Sequence, residues 1–311
     1  MTKPDLLLVV PMPERVTEAL ARDFTLHSLP GADDPDALVD RLAPTLRHAA
    51  TSGRFPVTLM DRLPGLELIA SFGVGYDGID IGAAGARGIA VTNTPDVLND
   101  CVAEVTLGLM IALAHRLPQA DRFVREGRWA TEKFPLTDEL TGRRAGILGL
   151  GRIGREIARR LEVFRMKIAY HGRRAQPDVP YAYHADLEQM AAEVDWLVVI
   201  APATPETEGI VSRGVMQALG PRGFLVNVAR GALVDEPAMV ELLSDGRLGG
   251  AALDVFAHEP EVPAALRGLE NVVLSPHQGS ATHRTRALMG DLVVANLRAH
   301  LSGAPLPSPV A

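Results

Sequence analysis

The chain has 311 residues, 47% hydrophobic and 22% charged, an ordinary globular composition that argues against disorder. Its 31 basic and 38 acidic residues give a net charge of −7, a diffuse acidic balance that disfavours a nucleic-acid partner. The single cysteine, Cys101, excludes an intramolecular disulfide and a multi-cysteine metal site, and it fits a reducing compartment.

At roughly 150 residues per domain, this length suggests about two domains. The first apolar run, residues 6–10, is too short for a signal segment and is followed at once by proline and glutamate. The longest apolar stretch, 102–114, holds Glu104 and falls short of the roughly 20 residues a membrane span needs. The expectation is a soluble cytoplasmic protein with no membrane partner.

Further apolar runs at 66–72, 89–93, 145–150, 167–172, 196–201, 223–229, 250–256 and 271–276 predict strands. Their near-continuous Val/Ile/Leu content predicts burial on both faces, as in parallel sheets. Amphipathic stretches lie between them. Asp186 and Asp235 are placed as helix caps, with Pro237 in the first turn and Gly246 past the end. This alternation predicts an α/β chain of two doubly wound, Rossmann-like or flavodoxin-like parallel-sheet domains separated by a cleft. Two long helices, 100–117 and 282–301, are expected to cross between the domains. The first domain then holds residues 1–99 plus 283–311, and the second holds 100–282.

Residues 149–154 read GLGRIG, after a strand-like run and before an amphipathic helix, with a second strand closing the βαβ unit. Such a loop makes a tight turn, brings backbone close to a pyrophosphate and opens a helix N-terminus toward an anion. A strand–helix turn without a ligand is the plainer alternative. An acidic residue at the end of the next strand would bond the ribose 2′-hydroxyl of NAD. The sequence instead has His171, Gly172, Arg173 and Arg174, with no carboxylate before Asp178. Two guanidiniums can clamp a 2′-phosphate, which favours NADP over NAD. The plainer alternative is that one or both arginines are solvated surface residues.

Three segments of the second half each end a strand and hold a reactive residue: NVARGALVDE with Arg230, LDVFAHEP with Asp254 and Glu259, and LSPHQGSATHRTR with His277. Ligands bind outside the carboxyl ends of parallel strands. In that setting His277 can give a proton to a carbonyl oxygen, Glu259 can hold its other ring nitrogen, and Arg230 can grip a carboxylate. Singly, each has a structural reading: a surface arginine, a loop glutamate before proline, a histidine capping the next helix. No HxxxH or HExxH spacing occurs among the nine histidines, and no metal site is expected.

On the segments SFGVGYDGIDIGAAGARGIAVTNTPDVLNDCVAE, GILGLGRIG, APATPET, NVARGALVDE, GRLGGAALDVFAHEP and SPHQGSATHRTR, the chain resembles the D-isomer-specific 2-hydroxyacid dehydrogenases, in the glyoxylate/hydroxypyruvate reductase branch. Residues 1–65 match only in pattern. The stretch GRRAQPDVPYAYHADLEQMA also resembles hydroxyphenylpyruvate reductases of that branch. The resemblance implies a substrate-binding first domain and a nucleotide-binding second domain. It makes His277 the proton donor, Glu259 its partner and Arg230 the substrate-orienting arginine. It gives the substrate carboxylate to the backbone at Val74 and Gly75. It places the cofactor on Leu150, Gly151, Arg152, Ile153, Gly172, Arg173, Arg174, Pro202, Thr207, Val228, Ala229, Asp254 and Gly279, with Asp254 at the nicotinamide end. It further implies a homodimer through helices around 100–130, and a small 2-oxoacid substrate whose side chain meets residues 51–55 and Trp129 or Phe134. Arg54 would add a charge there.

The expected activity is NADPH-dependent reduction of a 2-oxoacid, from glyoxylate and hydroxypyruvate to arylpyruvates, with NAD as a second possible cofactor. The rivals are an NAD-dependent dehydrogenase such as a phosphoglycerate dehydrogenase, and a non-catalytic dinucleotide-sensing binding protein.

Overall fold

The structure, a computed structural model, describes residues 3–310. Residues 1, 2 and 311 of the expected first domain lie outside them. The chain divides into two compact units, one running to Leu98 and resuming at Thr282, the other Asn99–Ala281. The division falls one residue before each expected boundary. At the second crossing Thr282 goes with the helix it caps, its hydroxyl accepting from Thr285 N–H at 3.2 Å.

In the first unit the elements are β1 (Asp5–Leu8), α1 (Glu14–Leu20), β2 (Thr25–Ser28), α2 (Pro35–Leu42), β3 (His48–Thr51), β4 (Arg54–Phe55), α3 (Val57–Asp61), β5 (Leu68–Ser71), β6 (Gly78–Ile79), α4 (Ile81–Ala86) and β7 (Ala90–Thr92). The second unit holds α5 (Asn99–Ala114), α6 (Leu117–Arg125), β8 (Arg144–Leu148), α7 (Arg152–Val163), β9 (Lys167–His171), β10 (Ala182–His184), α8 (Leu187–Glu193), β11 (Trp196–Val199), α9 (Arg213–Leu219), β12 (Phe224–Asn227), α10 (Glu236–Ser244), β13 (Gly250–Leu253), α11 (Ala264–Gly268) and β14 (Val272–Leu274). Helix α12 (His283–Leu301) returns to the first unit.

The first unit is built on a parallel sheet of order β2-β1-β3-β5-β7, with β4 and β6 as a separate short pair. Its inner strands β1, β3 and β5 are almost wholly buried, as a sheet covered on both faces requires. Leu7, Ala49, Ile69 and Val91 join α2 and α3 residues in one core. The C-terminal segment closes this unit. Asn296, 0% exposed on α12, donates to Ser308 Oγ at 2.8 Å, and that hydroxyl donates to Asn93 O at 2.7 Å. Thr92 and Pro309 then pair antiparallel.

In the second unit a seven-stranded parallel sheet runs β10-β9-β8-β11-β12-β13-β14. Strand order reverses between β8 and β11, the switch point at which such sheets open a crevice. Helix α7 buries Gly154, Ile157, Ala158 and Leu161, the three-to-four spacing of one helical face.

The helix expected over 100–117 differs from the one observed. It stops at Ala114, and the chain bends by 59° into α6. Arg116 sits at φ +51, and Pro118 is in the first turn of α6. Proline there lacks the N–H that a continuing helix needs. Among the described residues no single helix is long and apolar enough to cross a membrane.

Candidate active site

The site residues of the second unit lie at the carboxyl ends of β8, β9, β11, β12, β13 and β14. On the β8 side, Gly149 takes φ +100, and a Cβ there would sit 2.7 Å from the Ala201 backbone. A Cβ on Gly154 would sit 2.2 Å from Gly149 O, so any side chain would push α7 off the loop. Gly151 opens α7 with no side-chain cap and nothing within 4 Å of a Cβ position. The first-turn N–H groups of α7 are therefore open to an anion. Leu150 is buried, Gly151 and Arg152 are exposed, and Ile153 is half-buried.

The loop after β9 carries Gly172, half-buried, and Arg173 and Arg174, both exposed. Among the described residues neither arginine has a hydrogen-bond or ion-pair partner. The first carboxylate after them, Asp178, is bound by Arg155 at 2.7 Å. That hydrogen bond holds its carboxyl below the usual carboxylate range. After β11, Thr207 Oγ1 donates to Pro202 O at 2.8 Å and closes a short capped turn. An open helix terminus, a glycine cradle and two unpartnered guanidiniums fit a phosphorylated dinucleotide.

On the other side, the loop after β12 is shaped by Asn227, 1% exposed. Its amide donates to Arg230 O at 2.9 Å and accepts from Ala229 N–H at 3.1 Å. This fixes Val228, Ala229 and Arg230 as one turn, with Arg230 half-buried and its guanidinium donating to Ala229 O at 2.7 Å. A Cβ on Gly231 would lie 1.9 Å from the Phe256 carbonyl carbon, so this turn rests directly on the loop after β13. There Phe256 N–H donates to Glu259 Oε1 at 3.1 Å, and Glu259 Oε2 pairs with His277 Nδ1 at 2.7 Å. Both carboxylate oxygens are engaged, and the imidazole keeps Nε2 for other work.

His277 takes φ +51, a left-handed conformation that costs a non-glycine residue about 1–2 kcal/mol. The turn around it is held by Asp254, 1% exposed. The Asp254 carboxylate accepts from Ser275 Oγ at 2.5 Å and from the N–H groups of Gln278 and Gly279, each at 2.8 Å. The His277 N–H donates to Asp254 O at 2.8 Å. Asp254, placed by resemblance at the nicotinamide end, thus turns its carboxylate onto the 275–279 turn. Asn227 and Ser275 escape sequence reading, since both act through hydrogen bonds that leave no periodic trace.

Val74 and Gly75 lie in the first unit. Their loop is pinned by Asn93 Nδ2, which donates to Val74 O at 2.8 Å. The neighbouring 51–55 turn is tied to the same strands: Ser52 Oγ donates to Phe72 O, and Gly53 N–H donates to Ser71 Oγ, both at 2.9 Å. Arg54 is exposed. In the second unit Phe134 packs edge-on against Phe123 at 5.4 Å, and Trp129 is 70% exposed.

Comparison with known proteins places these observations in a family. The sequence model described as D-isomer specific 2-hydroxyacid dehydrogenase, NAD binding domain, matches residues 107–279. Hydroxyphenylpyruvate reductase of Plectranthus scutellarioides is 51% identical over 252 residues, 81% of this chain and 80% of that protein. Glyoxylate/hydroxypyruvate reductase A of Arabidopsis thaliana is 46% identical over 306 residues, 98% of each chain. Among solved structures, NADPH-dependent glyoxylate/hydroxypyruvate reductase of Sinorhizobium meliloti, in complex with NADP and malonate, superposes with TM-score 0.94. It is 45% identical, and the match covers 100% of this chain and 97% of that one.

Proposed function

The chain belongs to the D-isomer specific 2-hydroxyacid dehydrogenase family, and on that premise we propose that it reduces small 2-oxoacids to D-2-hydroxyacids with NADPH. The substrates in view are glyoxylate, hydroxypyruvate and arylpyruvates, matching the names of its relatives. The carrying observation is the Glu259–His277 pair, 2.7 Å apart, at the same sheet edge as the open glycine loop.

When bound, NADPH supplies the hydride that goes to the carbonyl carbon. His277, doubly protonated, donates from Nε2 to the carbonyl oxygen as the C–O double bond opens. Glu259 holds Nδ1–H and fixes the ring plane. Arg230 orients the substrate carboxylate or polarised oxygen through its fork of N–H donors. Retention of that carboxylate by the Val74 and Gly75 N–H groups belongs to the proposal on sequence resemblance. Arg173 and Arg174 take the 2′-phosphate. The nearest following carboxylate, Asp178, is four residues past Arg174 and is ion-paired with Arg155 at 2.7 Å. NADH remains a second cofactor.

The proposal includes a homodimer, supported by Leu117, Val124 and Trp129 at 49%, 54% and 70% exposure along residues 117–129. It includes a cytoplasmic location, supported by one buried, unpaired cysteine. Sedimentation and cell fractionation check these two parts. The activity is tested by following NADPH and NADH oxidation against glyoxylate, hydroxypyruvate, pyruvate, phenylpyruvate and 4-hydroxyphenylpyruvate. NADPH-linked turnover on one of them is expected. Tight NADPH binding without turnover on any would overturn the reductase reading in favour of a dinucleotide-sensing protein.

A further inference from the structure

We propose that Gln176 is a positioning residue for NADPH, one that sets the arginine loop after β9 at a fixed distance from the glycine loop after β8. The inference rests on the reading of Arg173 and Arg174 as the 2′-phosphate site. Three bonds converge on this half-buried residue. Its Nε2 donates to Leu150 O at 2.9 Å, inside the GLGRIG turn. Its Oε1 accepts from Arg155 Nη2 at 2.5 Å, at the start of α7. Its own N–H donates to Tyr170 Oη at 2.6 Å, and Tyr170 is 1% exposed in β9. A carbonyl can only accept and a guanidinium only donate, so both ends of the amide are committed and its orientation is fixed. Arg155 also holds Asp178 at 2.7 Å, two residues further along. The loop carrying the exposed arginines is therefore anchored on its far side to the pyrophosphate turn, the helix behind it and the buried strand.

The chemistry of the ligand makes this separation matter. NADPH carries two anionic groups on one adenosine ribose, the pyrophosphate at the 5′ oxygen and a phosphate at the 2′ oxygen. Both must find their donors together. NADH carries only the first. A tether between the two donor loops lowers the ordering cost for the doubly anchored ligand and does little for the singly anchored one. Gln176 touches neither phosphate in this scheme. It acts through Arg173 and Arg174.

The test compares steady-state kinetics with both cofactors in Gln176→Met, which keeps the side-chain volume and removes both amide bonds. The expected result is a rise of about tenfold in KM for NADPH, a change under about twofold in KM for NADH, and kcat within about twofold for both. The paired variant Arg173→Ala/Arg174→Ala should show the same selectivity more strongly. Adding Gln176→Met to that pair should produce no further NADPH-specific loss. If the arginine pair is selective while Gln176→Met weakens both cofactors equally, or neither, Gln176 is a structural residue and the inference falls alone. If the arginine pair itself is unselective, the 2′-phosphate reading fails and takes this inference with it.

Discussion

Each unit buries a titratable side chain against its sheet, and the two are accommodated differently. In the second unit Asp254 is 1% exposed, and three donors from the 275–279 turn converge on its carboxylate. In the first unit His48 is 3% exposed and meets a second imidazole, His300 Nδ1, 3.0 Å from its Nε2. Burial, with the His300 charge second, lowers the His48 pKa from its ordinary 6.5 to about 4. A buried carboxylate is tolerable only when donors converge on it, and here two of those donors are backbone N–H groups of the turn that carries His277. A buried imidazole can instead stay neutral and pack, as His48 does edge-on against Phe24. One burial braces the turn that carries His277, and the other places an imidazole in packing contact within a core.

Substitutions can sharpen or break this contrast. The largest effect belongs to His277→Asn, since asparagine tolerates the left-handed backbone but cannot donate a labile proton. Its kcat should fall by about a thousandfold, with NADPH affinity and unfolding midpoint nearly unchanged. Retention of kcat within tenfold would remove His277 as the acid. Gly231→Ala comes next. Its Cβ would lie 1.9 Å from Phe256, so the Glu259 loop must shift, and kcat should drop by about a hundredfold. A variant with full activity would show that the two loops move independently.

Asp254→Asn leaves one acceptor oxygen for the three donors. It should cost about 1–3 kcal/mol in urea unfolding, with kcat down by about tenfold. Loss of stability with unchanged kcat would make Asp254 a structural residue only.

The smallest effect on activity belongs to His48. Its folded pKa lies below the unfolded value, so the unfolded chain binds the extra proton. Its contribution is complete above about pH 6.5 and is lost as pH falls toward 4, at up to ~1.4 kcal/mol per pH unit. His48→Gln should flatten that slope, read by hydrogen exchange in β3 and α12, while kcat at pH 7 stays within about twofold. An unchanged slope would assign the acid lability to other groups.

The parts of this molecule that sequence reveals are those whose physics is local. β8, the glycine loop and α7 are legible because an apolar run, spaced glycines and one helical face follow in order. β2 and β10 are edge strands with half-exposed, mixed residues, and β3 reads HAAT, too small and polar to signal its full burial. The strand ends that carry Arg230, Glu259 and His277 could be located, since parallel strands bind at their carboxyl ends. Their joining by Asn227, by Gly231 against Phe256, and by the Asp254 carboxylate could not, because those contacts span a loop or a strand crossing. Pro118 marks the bend at Arg116, but the continuous apolar run of 102–114 leading into it reads as one longer helix.

The clasp of Asn296, Ser308 and Asn93 ties the first unit to the last segment of the chain. During synthesis residues 99–281 must emerge between the two parts of that unit. At ~5–20 residues per second this takes roughly 10–40 s. Through that interval β7 leaves the ribosome without its Thr92–Pro309 partner and β5 without α12 packed on it. The second unit can therefore fold first, on a nascent chain whose first unit is still open. A chaperone would meet an exposed sheet at the front of the chain, and only translation through α12 would close it.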